Sequence, residues 1–230
     1  MKISKILTAS LLAMGSVAAS AQTVSGFVGV NSDNVYRGFS LSDDKPSATA
    51  GVGVTSKISA LTIRGDAVVS TVTNGGRVDT TLTASTPVVG MTVFGGARNH
   101  TNFNTDLTSR QSSNEVFGGV SIPVAAGKFV SEYAREWMSG GVETDYVKVG
   151  YSRSLFDPKL TLGVSALYTK DVGAVRPARS SAFVFRDVEV AANYKLTPNL
   201  NLSATAINGK RDIFAVKNTQ KYLVGVNYTF

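Results

Sequence analysis

Charged side chains in this 230-residue chain fall into closely spaced sets. Arg64 and Asp66 are two residues apart, as are Arg77 and Asp79, and Asp187 and Glu189; Glu132 and Glu136 are four apart. On an extended strand, side chains at i and i+2 share a face. Each set therefore projects together, with Arg98 and Lys148 as further charges of this kind. Two chemistries suit them. Opposite charges can bridge across a narrow bore and close it, or separated acidic and basic ladders can orient a small hydrophilic solute in transit.

Other chemistry finds little support. His100 is the single histidine and there is no cysteine, which leaves no cluster of the usual transition-metal ligands. A calcium site built from loop carboxylates has no motif behind it. A serine nucleophile served by His100 needs a third, orienting group, and nothing in the sequence places one. The Gly pairs at 75–76, 95–96, 118–119 and 140–141 belong to strand and loop patterns and not to a phosphate-binding loop. The chain reads as a non-enzyme without a cofactor. Lys170, Arg176, Arg179 and Arg186 against Asp171, and Lys210, Arg211 and Lys217 against Asp212, form two basic stretches. Capture of anionic solutes is one use for them; contact with lipopolysaccharide phosphates is the favoured one.

These groups need elements to hold them, and the elements are short alternating strands. Leu160, Leu162, Val164, Ala166 and Tyr168 alternate with Thr161, Gly163, Ser165 and Thr169; Val188, Val190, Ala192 and Tyr194 alternate with Asp187, Glu189, Ala191 and Asn193. Recurring segments of about ten residues with this rhythm are the mark of a transmembrane β-barrel. Twelve are expected, at 23–33, 46–56, 59–71, 77–87, 89–100, 114–124, 128–138, 143–153, 159–169, 184–195, 200–210 and 220–230. Pro- and Gly-marked turns at 56–58, 85–88, 125–127, 155–158 and 197–199 alternate with longer polar loops at 33–45, 101–113, 170–183 and 211–219. Shorter Gly-rich loops are expected near 74–76 and 139–141. The expected fold is an all-β, antiparallel, up-and-down barrel with short periplasmic turns and longer extracellular loops.

Gly, Ser and Thr crowd the polar faces, and aromatics sit near strand ends, so the apolar faces are expected outward, in lipid. The charges then line the lumen: Arg64, Asp66, Arg77, Asp79, Arg98, Glu132, Glu136, Lys148, Asp187 and Glu189. The seventh strand is the awkward one. Phe129, Tyr133 and Trp137 want lipid, but Arg135 shares their face and is expected to snorkel toward headgroups.

The first 21 residues read as a cleaved secretory signal: a basic start with Lys2 and Lys5, an apolar stretch from Ile6 to Val17, and Ala19-Ser20-Ala21 as the cleavage site. Residues 22–230 form one domain. The net charge of +7 becomes +5 after cleavage, too diffuse for nucleic acid. At the other end, Tyr222, Val224, Val226, Tyr228 and Phe230 occupy every second position up to the last residue. This looks like a terminal assembly signal, whose open strand edge is read by β-augmentation in the barrel-insertion machinery. The strand is expected to close against the first near Val28 and Val30.

The stretch Val24–Val54 carries Ser32, Asp33, Tyr36, Arg37, Gly38, Ser40, Lys45 and Pro46 between two strands. It resembles the TorF family of putative porins, in which a Ser-Asp-x-x-x-Arg-Gly stretch follows the first strand. The chain departs from that pattern in carrying Asn34, where an aromatic is common. Asp33 and Arg37 are expected to pair at the barrel mouth and fix the first long loop.

Two functions follow as expectations. The first is an outer-membrane channel for passive diffusion of small hydrophilic solutes through a narrow, mixed-charge lumen. The second is a non-conducting barrel with a structural or adhesive role through its loops. The expected partners are outer-membrane lipid and lipopolysaccharide, the barrel-assembly machinery, and small hydrophilic solutes.

Overall fold

The computed structural model describes residues 22–37, 39–103, 112–138, 143–155, 159–171, 182–209 and 219–230. The alternating segments form β1 (Gln22–Asn31), β4 (Ser47–Ile58), β5 (Leu61–Val72), β6 (Gly75–Val88), β7 (Met91–Phe103), β8 (Ser112–Val124), β9 (Gly127–Met138), β10 (Glu143–Ser154), β11 (Leu160–Asp171), β12 (Val184–Lys195), β13 (Leu200–Gly209) and β14 (Thr219–Thr229). Two short strands, β2 (Val35–Tyr36) and β3 (Phe39–Ser40), pair inside the first loop. The twelve long strands close into one antiparallel barrel in chain order, with β1 pairing both β4 and β14. No helix occurs among the described residues. The expected signal segment, Gly38, and the loop parts at 104–111, 139–142, 156–158, 172–181 and 210–218 lie outside them.

Three tight turns are shifted slightly along the chain from the stretches expected to form them. β4 runs through Lys57 and Ile58 and the chain bends at Ser59, where φ is 54°. β6 continues through Pro87, and the bend comes at Val89 and Gly90, both at positive φ. Gly75 and Gly76 are in a strand; Asn74, a residue that tolerates the left-handed region, makes the turn at φ 55°. Two-residue turns with positive φ match the twist of the strands they join, and that requirement outweighs the bare presence of Pro or Gly.

The faces divide as the alternation requires. Val24, Val28, Val30, Val52, Val69, Leu82, Val116, Val164, Val190, Tyr222 and Val224 stand exposed on the outer wall. A belt of this extent suits hydrocarbon and not water. Closure follows the expected register, Val28 opposite Tyr228 and Val30 opposite Val226. Phe230 and Gly26 exchange backbone hydrogen bonds of 2.9 Å in both directions. The Phe230 ring lies over Gly26, in space that any side chain there would occupy.

Arg135 is on the outer wall as expected, but it is paired. Its Nε and Nη2 donate to Asp145 at 2.7 and 3.0 Å, and the Tyr133 hydroxyl donates to the same carboxylate at 3.0 Å. The inner wall is not uniformly polar either. Phe117, Ala134, Tyr146 and Leu167 form a buried cluster with Phe94 along β7 to β11. Gly96 and Gly119, the register partners of Phe117 and Phe94, leave room for these two rings.

Candidate functional site

The first loop, between β1 and β4, folds into the barrel instead of lying outside it. Its base is pinned by Asp33, which is buried and accepts hydrogen bonds from Ser40 at 2.6 Å, Ser42 at 2.7 Å and Lys221 at 3.0 Å. Lys221 also pairs with Asp44. Burial alone would push the Asp33 carboxyl up; the three hydrogen bonds and the Lys221 charge outweigh it and hold it below the ordinary range. On the β5 side, Asn34 donates to Ser70 at 3.0 Å and the Leu41 carbonyl accepts from the Thr73 amide at 2.8 Å. The Ser32 amide donates to the Val224 carbonyl at 2.8 Å and the Val224 amide donates to the Ser32 hydroxyl at 3.0 Å, sealing the loop to the closing strand.

From this base the loop carries Tyr36 and Arg37 into the lumen. The expected pair of Asp33 with Arg37 does not form. Arg37 instead reaches Glu115, with Glu136 at 3.5 Å, and its guanidinium lies over the Tyr146 ring, 3.3 Å from the centroid. The reason is competition: Lys221 and two serines already satisfy Asp33 locally, while Glu115 and Glu136 are deeply buried carboxylates that need a cation. The Arg37 carbonyl accepts from Arg186 Nε at 2.9 Å.

Around these two residues the wall charges form a connected network. Arg98 bridges Glu115 and Glu132, both of its contacts to Glu132 being 3.0 Å. It also lies 3.8 Å from the Phe117 ring centroid. Glu136 accepts from Ser113 at 2.6 Å. The Tyr36 hydroxyl lies 3.2 Å from His100 Nε2 and 3.5 Å from Glu136. His100 Nδ1 is 2.6 Å from Asp79, which also accepts from Arg77 Nε at 2.6 Å. Arg77 closes the circuit by standing 4.3 Å from the Tyr36 ring centroid. Ser113 is the register partner of His100, but its hydroxyl donates to Glu136 at 2.6 Å. Among the described residues no group of His, Asp and Glu is set to hold a metal ion.

The inserted loop thus touches the wall from β5 round to β10, and again at β12 and β14. Below it the charges are more open. Arg64 pairs with Asp66, Nε to the carboxylate at 2.9 Å, and Lys148 stands 3.9 Å from Glu189. Asp187, by contrast, is buried, 3.5 Å from the Arg186 that bonds the loop.

All ten expected inner-wall charges face the lumen side, but they serve two purposes. Arg77, Asp79, Arg98, Glu132 and Glu136 belong to the network that seats the loop, and Asp187 stands beside Arg186, which bonds the Arg37 carbonyl; Arg64, Asp66, Lys148 and Glu189 line the space beneath. Of the motif residues, Ser32, Asp33, Tyr36 and Arg37 build the inserted loop, Pro46 is exposed at its exit, and Gly38 lies outside the described residues. Arg186, expected with the outer basic stretch, is buried inside. A register shift between Leu167 and Tyr168 places Phe185 and Asp187 opposite consecutive residues, and Arg186 between them turns inward. The rest of the two basic stretches is outside the described residues apart from Lys170 and the backbone of Asp171. Sequence reasoning missed Glu115, Tyr146 and Lys221. Strand parity alone points the first two inward beside Phe117 and Lys148, and Lys221 opposite to Tyr222.

No protein-family model matches the chain, and no curated protein matches it. Solved structures do share its fold. The chain is similar to the NanC porin at 10% identity and a TM-score of 0.58, covering 90% of this chain and 99% of that one. It is similar to an outer membrane channel from Pseudomonas putida F1 at 12% identity and a TM-score of 0.54, covering 92% and 96%. It is similar to the KdgM porin at 11% identity and a TM-score of 0.53, covering 90% and 99%. At such identities the likeness is one of fold: a closed, twelve-stranded antiparallel barrel of the kind found in outer-membrane proteins.

Proposed function

We propose that the protein is an outer-membrane, porin-like channel for small hydrophilic solutes, constricted by its own first loop. The observation that carries this is the division of the wall: apolar outside, and inside a two-signed polar surface that continues beneath the loop through Arg64, Asp66, Lys148 and Glu189. Charge on the lipid side of a barrel costs about 2–4 kcal/mol for Arg or Lys near midplane, so an ion-rich inner face supports the reading of a water-filled interior. The fold shared with the NanC and KdgM porins supports the same reading. Residues 1–21 would be the export signal, cut after Ala21, and the Tyr222–Phe230 strand the segment engaged by the assembly machinery. Lipid and lipopolysaccharide would contact the outer wall. The motif from Ser32 to Pro46 supports placing the chain in the TorF family.

A second reading has one observation in its favour. The loop meets the wall from β5 to β10 and again at β12 and β14, as a plug in a non-conducting structural barrel would. Planar-bilayer recording of the refolded protein separates the two. A channel gives discrete conductance steps; a structural barrel stays silent at every voltage.

A further inference from the structure

The seat of Arg37 has the chemistry of a ligand site. Glu115 and Glu136 face each other directly across β8 and β9, and each is only 1% exposed. Like charges directly opposite on a sheet repel, so the pair persists because a cation lies against it. The Tyr146 ring supplies a face for that cation. Remove Arg37, and the network keeps four carboxylates, Asp79, Glu115, Glu132 and Glu136, against the guanidinium groups of Arg77 and Arg98. The fit to Arg37 is also incomplete. Glu136 Oε2 and Arg37 Nη1 are both buried without a hydrogen-bond partner, 3.5 Å apart.

We propose that Glu115, Glu136 and Tyr146 form a binding site for the guanidinium or amine group of a small organic cation, and that Arg37 fills it as a built-in surrogate while the loop is inserted. An entering cation that takes the seat replaces Arg37 beside Glu136 and beside Glu115, which otherwise keeps only Arg98, and so offsets the loss of one of the contacts that hold the loop in. A solute shifts such an equilibrium only through its preference for one state, and this one binds only when Arg37 is out. Guanidinium or amine solutes would therefore open their own path. The proposal leans on the channel reading only for the route by which the solute arrives.

The test uses the full barrel refolded in detergent with Arg37→Ala. Guanidinium chloride at low millimolar strength, far below denaturing levels, is compared with methylammonium, tetramethylammonium and sodium chlorides at equal ionic strength. Guanidinium should raise the unfolding midpoint by about 2–4 °C over sodium at several times its Kd. If Arg37→Ala does not refold in sodium chloride, guanidinium should raise the refolded fraction instead. An equal effect of methylammonium widens the class to primary amines. The increment should vanish in Arg37→Ala/Glu115→Gln. A guanidinium effect no larger than that of sodium or of tetramethylammonium, which has no N–H to donate, overturns the site, as does an undiminished effect in the double variant. None of these readouts needs conduction, so a silent barrel would defeat the channel reading and leave this result standing.

Discussion

Lys221 Nζ stands 3.0 Å from Asp33 Oδ2, joining the strand that closes the barrel to the loop that fills it. Barrel closure and loop insertion are therefore coupled, with the Lys221–Asp44 pair and the Ser32–Val224 hydrogen bonds acting beside this one. The Lys221–Asp33 pair also gives the loop a pH dependence. The Asp33 carboxyl is held below its ordinary 3.8 in the folded state, so its contribution is present above the unfolded value and is lost as pH falls through the folded one. The base of the loop should accordingly loosen only below about pH 4. Asp33→Asn should remove that acid transition, and limited proteolysis of the loop between pH 3 and 7 measures it.

Glu115 is the centre of the seated network, bound to both Arg37 and Arg98. Glu115→Gln leaves two guanidinium groups without their shared carboxylate. Removing one partner of a buried pair costs about 3–5 kcal/mol. The variant should unfold at lower temperature, read by the heat-dependent shift in gel migration, and its loop should be cleaved faster by protease than that of the parent.

The loop's insertion was the part least legible in the sequence. Strand number, faces and closing register were plain, because a period of two repeats in every segment and one slip would turn each apolar face inward. Residues 33–45 carry no such period. Asp33 and Arg37 are near in sequence and opposite in charge, so a local pair was the natural expectation; their actual partners are set by Lys221, Glu115 and Glu136, which are distant in the chain. Glu115 and Tyr146 were readable by parity alone. Arg186 was not, because a bulge between β11 and β12 reverses its side and leaves no mark in composition.

Phe230 and Gly26 form the last joint of the barrel, and each needs the other's shape. Gly26→Val should displace the Phe230 ring and lower the yield of heat-modifiable barrel. Phe230→Ala should lower membrane insertion in cells. Combining the two should recover part of the in-vitro folding yield, since the introduced valine then meets no ring, but none of the insertion. Equal insertion of Phe230→Ala and parent would contradict the assembly role.

A water-filled barrel gated by its first loop is tested most directly by single-channel recording of the parent beside Arg37→Ala. The parent should give discrete steps with frequent closures, and Arg37→Ala should give longer openings of equal or greater size. Silence from both proteins after verified insertion would contradict a channel, and identical traces from both would contradict the gate.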